Sequence, residues 1–331
     1  MPTLNKHTIL VTGGAGFIGH HFINHRLREM EDRIVNLDSL TYAGDLEALK
    51  ELEGNPRYTF AKGDVNNREL VDNLIRQHNI NLIVHFAAES HVDRSIASAS
   101  SFIQTNIAGT QMLLDAARKH GVRFIHISTD EVYGSLGETG VFTEESPLAP
   151  RSPYAASKAS SDCLVLACHH TFGLPVNVTR CTNNYGPRQF PEKFIPKMII
   201  EALRGNQLPL YGNGENVRDW IHVHDHCTAI DTVIEKGIAG EVYNIGSSNE
   251  RKNLEVARFI LEELELDESR ITYVDDRPGH DYRYALNSDK IRNELGWAPR
   301  YEFEADLKKT IRWYKEHRPW WEWVLKRSDG L

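Results

Sequence analysis

The chain has 331 residues, 40% of them hydrophobic and 25% charged, which is a folded globular composition and excludes disorder of the whole chain. The net charge of −8 opposes a broad nucleic-acid-binding surface, and no apolar run approaches the roughly 20 residues that cross a bilayer. Met1–His7 lacks an apolar core, so no secretory signal is expected, and the four cysteines form no Cys-x-x-Cys pair. We therefore expect a cytoplasmic protein with reduced, buried cysteines and with no membrane or nucleic-acid partner.

The first half of the chain alternates between strand-like and helix-like segments. Strands are predicted at Thr8–Thr12, Arg33–Leu37, Tyr58–Ala61, Leu82–Phe86, Arg123–Ser128 and Val176–Arg180. Helices are predicted at 17–30, 68–78, 98–120 and 153–172. Because strands that alternate with helices form right-handed βαβ units, the sequence predicts a Rossmann-type, doubly wound parallel sheet in the α/β class.

After about residue 181 the loops become longer and the pattern changes. Helices return at 194–204, 224–235, 254–264 and 305–317. We expect a Rossmann domain over residues 1–182, with a returning segment near 217–245, and a smaller interleaved domain formed mainly by 183–331. Near the end of the chain, Trp313, Trp320, Trp321 and Trp323 are expected to pack in a helix.

A glycine-rich turn follows the first predicted strand and opens the first helix. Gly13 allows a tight turn, and Gly16 allows the backbone to approach a pyrophosphate closely. Gly19 lets the helix pack tightly on the sheet. The free N–H groups at the start of the helix then favour phosphate. This strand–turn–helix context indicates a dinucleotide site.

Two aspartates extend this prediction. Asp38 ends the second strand, where its carboxylate can accept both ribose hydroxyls and repel a 2′-phosphate, so NAD is preferred over NADP. The alternative is that Asp38 caps a turn before Ser39. Asp64 follows the third strand and is suited either to the adenine amino group or to a helix N-cap, two compatible roles.

Tyr154 and Lys158 lie one turn apart on a predicted helix and share a face. An ammonium beside a phenol favours the phenolate and lowers the tyrosine pKa. Tyr154 is therefore expected to take a proton from a substrate hydroxyl while hydride leaves the same carbon. A surface pair is the alternative, but the nucleotide fingerprint upstream favours catalysis.

Two adjacent acids, Asp130 and Glu131, follow the fifth strand at the edge where open α/β sheets bind ligands. Neighbouring carboxyl groups push their pKa values apart, so one can act as an acid and the other as a base. Thr129 offers a hydroxyl to hold the reacting oxygen of a substrate. The alternative is an acidic turn that caps a helix.

Taken together, the motifs resemble the dTDP-glucose 4,6-dehydratases, a family of extended short-chain dehydrogenases/reductases, from about Thr8 to Trp321. The matching segments are Thr12–Gly19, Ala87–Ser95, Ser128–Gly134, Ser152–Lys158, Asn183–Pro187, Pro191–Lys193 and Asp276–His280. The resemblance implies that NAD oxidises C4 of a nucleotide-bound glucose, that Glu131 removes the C5 proton, that Asp130 protonates the leaving C6 hydroxyl, and that hydride returns to C6.

The resemblance also implies the site residues. Cofactor contacts are expected from Gly13, Gly16, Phe17, Ile18, Gly19, Asp38, Ser39, Thr41, Asp64, Val65, Phe86, Ala87, Ala88, Ser90, Thr105, Tyr154, Lys158 and Asn184. Substrate contacts are expected from His91, Thr129, Asn183, Lys193, Pro209, Tyr211, Arg218, Asn253, Arg277 and His280. The two arginines suit a diphosphate, whereas Tyr211 suits either the base or simple loop packing.

The same resemblance implies a homodimer through the helices near 98–120 and 153–172, and no metal. His222, His224 and His226 alternate as metal ligands on a strand would, but a strand-to-helix turn would separate them. Other enzymes remain open: a UDP-glucose 4,6-dehydratase, because the two bases differ by one methyl group, or an epimerase or decarboxylase, which the Asp130–Glu131 pair disfavours. A non-catalytic nucleotide sensor is the more distant alternative.

Overall fold

The computed structural model describes residues 6–328. The segment expected to lack a secretory signal falls mostly on residues 1–5, outside the described residues. The strands are β1 (Thr8–Thr12), β2 (Arg33–Asp38), β3 (Tyr58–Lys62), β4 (Leu82–His85), β5 (Arg123–Thr129), β6 (Val176–Cys181), β7 (Asn183–Tyr185), β8 (Leu208–Tyr211), β9 (Val217–His222), β10 (Val242–Ile245), β11 (Glu250–Lys252) and β12 (Ile271–Val274). The helices are α1 (Phe17–Glu29), α2 (Arg68–His78), α3 (Val92–Ala97), α4 (Ser100–Phe102), α5 (Thr110–His120), α6 (Pro153–Phe172), α7 (Phe194–Arg204), α8 (Val223–Lys236), α9 (Asn253–Glu263), α10 (Phe303–Glu316) and α11 (Arg318–Ser328).

Seven parallel strands form the main sheet in the order β10-β6-β5-β4-β1-β2-β3. This confirms the predicted doubly wound α/β fold. The strand order reverses between β1 and β4, where Thr12 lies opposite His85. The carboxyl ends of the strands diverge there and leave a crevice suited to a ligand.

Helices cover both faces of the sheet, as the alternation of side chains along β1 shows. Ile9 and Val11 point into one apolar layer, and Leu10 points into the other. The first layer is completed by α1 and α8, and the second by α2, α5 and α6. Burial of strands on both faces explains their nearly continuous apolar sequence.

The second half of the chain builds two small sheets, β11-β9-β7 and β12-β8, around a third apolar cluster from α7, α9, α10 and α11. Trp321 is fully buried in this cluster, and Trp313 and Trp320 pack against it. The packing prediction therefore holds for these three side chains. It is wrong for Trp323, which is 43% exposed.

The single helix predicted over 98–120 is wrong in detail, because the chain there is divided into α4, a π-helical segment at Ile103–Gly109, and α5. The wider turns direct the side chain of Asn106 toward the backbone of Glu89, with which it exchanges two hydrogen bonds, and toward Ser157. Such contacts with other segments offset the weaker helical geometry. Gly121 ends the helix in the left-handed conformation, as predicted.

Three smaller expectations need correction or comment. Asn67, not Asp64, caps α2, since its side chain accepts from the N–H of Leu70. Cys163 is exposed, although the other three cysteines are buried. Among residues 6–328, no helix is both long and apolar enough to cross a membrane.

Candidate active site

A cavity of about 380 Å³ lies at the carboxyl edge of the sheet, beside the strand-order reversal. All the residues predicted to bind the cofactor line it, and so do Thr129, Asp130 and Glu131. The fold thus brings to one place segments that range from Gly13 to Asn184 in the sequence.

The glycine-rich turn leaves no room for side chains. Gly13 has a φ of +72°, and a Cβ atom added to it would lie 2.5 Å from the backbone nitrogen of Ala87. A Cβ on Gly19 would lie 2.3 Å from the carbonyl oxygen of Gly13. Gly16 caps α1 without a side-chain bond, so the first N–H groups of the helix face the cavity edge. This cradle fits a dinucleotide pyrophosphate.

Asp38 is folded into the same wall and nearly buried. Its two carboxylate oxygens accept from the N–H groups of Ala15 (2.9 Å) and Leu40 (2.8 Å). Burial raises its pKa, and these two hydrogen bonds oppose the increase. Asp38 therefore does cap a turn, as the alternative proposed, and each oxygen keeps a lone pair that a ribose hydroxyl can use.

Ser152 and Pro153 start α6 and so place Tyr154 and Lys158 in its first turns. Lys158 Nζ donates to the carbonyl of Ile127 at 2.7 Å and lies 3.4 Å from Nε2 of His126. Burial lowers the lysine pKa to about 8, while the nearby Asp162 carboxylate raises it. The backbone of β5 thus fixes the position of the Lys158 ammonium.

The expected lowering of the Tyr154 pKa by Lys158 does not appear in the chain itself. Burial, followed by the negative charge of Glu131, raises the pKa of Tyr154 well above its ordinary value. A hydrogen bond with Thr129 opposes this increase. Sequence spacing located the two side chains correctly, but it did not show that the ammonium is bonded to Ile127.

Thr129, Asp130 and Glu131 lie where β5 passes into a 3₁₀ turn at Asp130–Tyr133. The Thr129 hydroxyl donates to Asp130 Oδ1 at 3.2 Å and accepts from the N–H of Glu131 at 3.3 Å. Asp130 is 2% exposed, and its Oδ2 atom has no protein partner. The acidic turn is therefore capped, and it also presents a buried carboxyl group to the cavity.

The two acids differ in their electrostatic surroundings. Burial and the Glu131 charge raise the pKa of Asp130 well above its ordinary value. Burial also raises the pKa of Glu131, but Arg277 and Arg218 oppose the increase. Asp130 therefore holds its proton to higher pH than Glu131 does.

A second cavity, of about 550 Å³, continues from the first toward the smaller sheets. Nine of the ten predicted substrate residues line it: His91, Asn183, Lys193, Pro209, Tyr211, Arg218, Asn253, Arg277 and His280. Thr129, the tenth, lines the first cavity. Ser90, Glu131, Asn183 and Lys193 are among the residues that line both cavities, and they lie at the boundary between them.

The two arginines of this cavity are bonded differently. The Arg218 guanidinium donates to the carbonyls of Val217, Asp281 and Tyr282. Arg277 pairs with Asp93 at 3.4 Å, and its buried Nε has no protein partner. Arg277 thus retains a free donor for an anion, whereas Arg218 is largely committed to the backbone.

Tyr211 ends strand β8 and is not in a loop, although its wall position fits either predicted role. Its hydroxyl donates to Asp93 at 3.1 Å. The strand-to-helix turn between β9 and α8 does break the alternation of His222, His224 and His226. His222 stacks on Tyr301 and His226 bonds to Asn184, so the rings point to different places, and no metal-ligating cluster occurs within residues 6–328.

The cavities also contain residues that the sequence prediction did not name. Glu192 and Trp220 line both cavities, and Asp93 and Arg94 line the second. Glu192 lies inside the matching segment Pro191–Lys193, which was a usable signal. Trp220 lies on β9 with no motif around it, so only the tertiary structure could identify it.

A parallel sheet with a dinucleotide cradle at its edge, and with a tyrosine and a lysine on the adjoining helix, defines an extended short-chain dehydrogenase/reductase. Residues 10–310 match the family model described as GDP-mannose 4,6 dehydratase. The chain is 52% identical to dTDP-glucose 4,6-dehydratase of Xanthomonas campestris pv. campestris (strain B100), over 98% of this chain and 97% of that protein. It is 49% identical to the Escherichia coli enzyme of that name, over 97% of each.

Solved structures agree with these sequence matches. A dTDP-glucose 4,6-dehydratase from Streptomyces venezuelae, with NAD and dTDP bound, has a TM-score of 0.93 and 50% identity, covering 96% of this chain and 99% of that one. A UDP-glucose 4-epimerase from Thermotoga maritima has a TM-score of 0.87 and 30% identity, covering 93% and 99%. The chain belongs to the dTDP-glucose 4,6-dehydratase family.

Proposed function

We propose that this chain converts dTDP-glucose to the 4-keto-6-deoxy sugar nucleotide by removing water, with NAD as a recycled cofactor. One observation carries the proposal: two adjacent acids, the buried Asp130 and the partly buried Glu131, lie beside Tyr154, and Glu131 lies on the boundary between the two cavities. The names of the relatives at about 50% identity support the same activity.

NAD, when bound, takes a hydride from C4, returns it to C6 and adds positive charge beside Tyr154. The chain supplies the proton chemistry of the oxidation. Tyr154 accepts the proton of the C4 hydroxyl, and Thr129, which lies beside Tyr154 and donates to Asp130, orients that hydroxyl. The ammonium group of Lys158, on the same face of α6, is fixed in place by its hydrogen bond to the carbonyl of Ile127.

A ketone at C4 makes the neighbouring C5 proton acidic, and the acid pair then removes water. Glu131 takes the C5 proton, because Arg277 and Arg218 favour its charged form. Asp130, which keeps its proton to unusually high pH, gives it to the departing C6 hydroxyl. Glu131 finally returns its proton to C5, so that C5 carries hydrogen again in the product.

The second cavity has the features that a nucleoside diphosphate requires. Arg277 offers an unpartnered buried donor, and Lys193 adds an ammonium at the cavity boundary, where it donates to the carbonyl of Ser90 at 2.8 Å. Tyr211 and Pro209 provide an apolar wall at the end of β8. We infer that the diphosphate lies between Arg277 and the boundary residues.

The test is to incubate the protein with dTDP-glucose and UDP-glucose in parallel and to identify the products by NMR. We expect a 4-keto-6-deoxy sugar nucleotide, formed faster from dTDP-glucose. A C4 epimer from either substrate would identify an epimerase instead. Recovery of both substrates unchanged from protein shown to contain NAD would contradict the dehydratase proposal.

We further propose a cytoplasmic homodimer with the predicted two-domain division. The apolar side chains of Ile103 (54% exposed) and Phe172 (54% exposed) lie on the helices expected to pair, and they support the dimer. Sedimentation at micromolar concentration tests it. A mass equal to one chain would contradict it.

A further inference from the structure

The segment 39–45, here called the β2 loop, joins β2 to a 3₁₀ helix at Leu46–Leu52. Ser39, Thr41, Ala43 and Gly44 of this loop line the first cavity next to Asp38. The loop is therefore one wall of the site that the glycine cradle prepares for a dinucleotide.

The β2 loop is folded tightly and is not held by regular secondary structure. Leu40 adopts the left-handed conformation with a φ of +55°, which is unfavourable for a side chain larger than glycine. A Cβ on Gly44 would lie 3.1 Å from the Cα of Leu40, so the two ends of the loop nearly touch. Such a conformation persists only when neighbouring structure holds it.

Part of that support comes from the last helix of the described chain. The Arg327 guanidinium on α11 donates to the carbonyls of Tyr42 (2.9 Å) and Gly44. On the same helix, Trp320 Nε1 donates to Asp45 Oδ2 at 2.8 Å. Three residues of the loop are thus tied to a helix that lies more than 270 residues later in the sequence.

The loop is also tied on its substrate side. The hydroxyl of Tyr42 donates to Glu192 at 2.9 Å, and Glu192 lines both cavities. The Arg94 guanidinium covers the Tyr42 ring at 3.7 Å. The loop therefore spans from α11 on one side to the boundary of the substrate cavity on the other.

We propose that Arg327 and Trp320 are positioning residues that fix the β2 loop over the adenosine end of NAD and so keep the dinucleotide bound through the whole catalytic cycle. The proposal rests on the proposed function in taking NAD as the bound dinucleotide. Arg327 and Trp320 act through the β2 loop, which is bonded to Asp38 at Leu40, and neither side chain lines the two cavities.

The chemistry explains why retention matters. The reaction has no net redox change, so the hydride taken from C4 must return to C6 of the same sugar. If the reduced cofactor left after the oxidation of C4 and before the return of hydride to C6, the oxidised sugar could not be converted to product. That active site would then be inactive. A dehydrogenase that exchanges its cofactor in each turnover has no such requirement. The proposed cycle, in contrast, favours a loop that is held in one position against the bound cofactor.

The test compares Arg327→Met with Arg318→Met. Methionine keeps an apolar stem but removes the donors to Tyr42 and Gly44. Arg318 lies on the same helix and bonds only within it, to Glu322 at 2.8 Å, among the polar contacts described. The measurements are bound nicotinamide per chain after desalting and the rate of NADH release, followed by its fluorescence.

We expect Arg327→Met to release NADH about 10-fold faster or more, because two hydrogen bonds to a charged group are lost. Arg318→Met should match the unmodified chain within about two-fold, as is usual for an exposed pair. Trp320→Phe removes one hydrogen bond and should give a smaller increase. During turnover, Arg327→Met should also release free NADH and an oxidised but undehydrated sugar nucleotide.

Equal retention in Arg327→Met and the unmodified chain, with unchanged thermal unfolding, would overturn the proposal. Equal loss in Arg327→Met and Arg318→Met would overturn it too, since that result points to general weakening of α11. If Arg327→Met does not fold, Arg327→Lys keeps the charge and must still show faster release. Absence of dehydratase activity in the unmodified chain would defeat the proposed function, but the retention measurement would still stand.

Discussion

The two cavities are built in different ways. At the glycine-rich turn the cofactor cavity is shaped by main chain: Gly13 lies against the backbone of Ala87, and Asp38 is held by backbone N–H groups. The substrate cavity is made of side chains that extend from separate elements, such as Tyr211 on β8 and Arg277 in the segment after β12. A main-chain site needs small residues at fixed spacing, whereas a side-chain site needs only the final arrangement in space.

At the boundary between the cavities, main chain and side chains both contribute to the wall. The main chain of β5 ends at Thr129, and the turn that follows presents Asp130 and Glu131. The strongest tests of the comparison are therefore substitutions at this boundary, followed by substitutions that affect one cavity alone.

The largest effect is expected from Tyr154→Phe, which removes the proposed proton acceptor for the C4 hydroxyl. Formation of enzyme-bound NADH on mixing with dTDP-glucose should fall by about 10⁴-fold, the upper range for loss of a general base. Stopped-flow absorbance of NADH measures it. Tyr301→Phe is the control, because Tyr301 stacks on His222 outside both cavity walls. Normal NADH formation in Tyr154→Phe would remove Tyr154 from the mechanism.

Asp130→Asn and Glu131→Gln should each slow turnover by about 10²- to 10³-fold while leaving C4 oxidation intact, so NADH accumulates in both. The two variants separate at C5. Asp130→Asn keeps the base and should exchange the C5 proton with deuterated solvent, whereas Glu131→Gln should not. NMR of the recovered sugar nucleotide measures the exchange. Exchange in Glu131→Gln and none in Asp130→Asn would reverse the assigned roles.

Much of the cofactor half could be predicted, because its determinants are local in sequence. The six predicted strands of the main sheet agree with the structure to within one residue at each end. The seventh strand, β10, escaped prediction because its four residues carry little periodicity. The π-helical segment escaped as well, since it depends on contacts of Asn106 with Glu89 and Ser157 that no local pattern shows.

The substrate half shows where sequence reasoning ends. The family motifs named its charged residues, but they did not show that Arg218 is bonded to three carbonyls while Arg277 keeps a free donor. Likewise, the spacing of Tyr154 and Lys158 did not reveal that the ammonium is bonded to Ile127. Hydrogen-bond partners of long side chains are decided by elements far apart in the chain.

A third prediction separates these two arginines. Arg277→Met should raise KM for dTDP-glucose by about 10- to 100-fold with little change in kcat, because the proposed charge-assisted contact to substrate is lost. Arg218→Met should instead lower the thermal unfolding temperature, since a buried guanidinium that bonds three carbonyls and lies over the Tyr284 ring is lost. Initial rates and thermal unfolding of both variants test this. A larger KM effect in Arg218→Met would mean that substrate displaces its backbone bonds.

The smallest effect is expected from Asp162→Asn. Asp162 does not line the cofactor cavity and acts on it through the pKa of Lys158. Asp162 is fully buried, bonds to Arg180 Nε at 2.8 Å and lies 3.5 Å from His126 Nε2, the atom that contacts Lys158. Its charge raises the pKa of Lys158, which burial holds at about 8. Neutralising Asp162 removes this support and leaves the positive charge of Arg180 uncompensated, and both changes lower the lysine pKa.

The sign of the pH effect follows from this change. If catalysis needs the Lys158 ammonium, the alkaline limb of the rate of NADH formation should move to lower pH by about one unit, the low end for loss of a nearby opposite charge. Rates below that limb should change little. Asp115→Asn, a change at a half-buried carboxylate paired with exposed Arg68, is the control and should leave the profile unmoved. An unshifted limb in folded Asp162→Asn would show that the carboxylate supports the fold alone, and that Lys158 keeps its charge through Ile127.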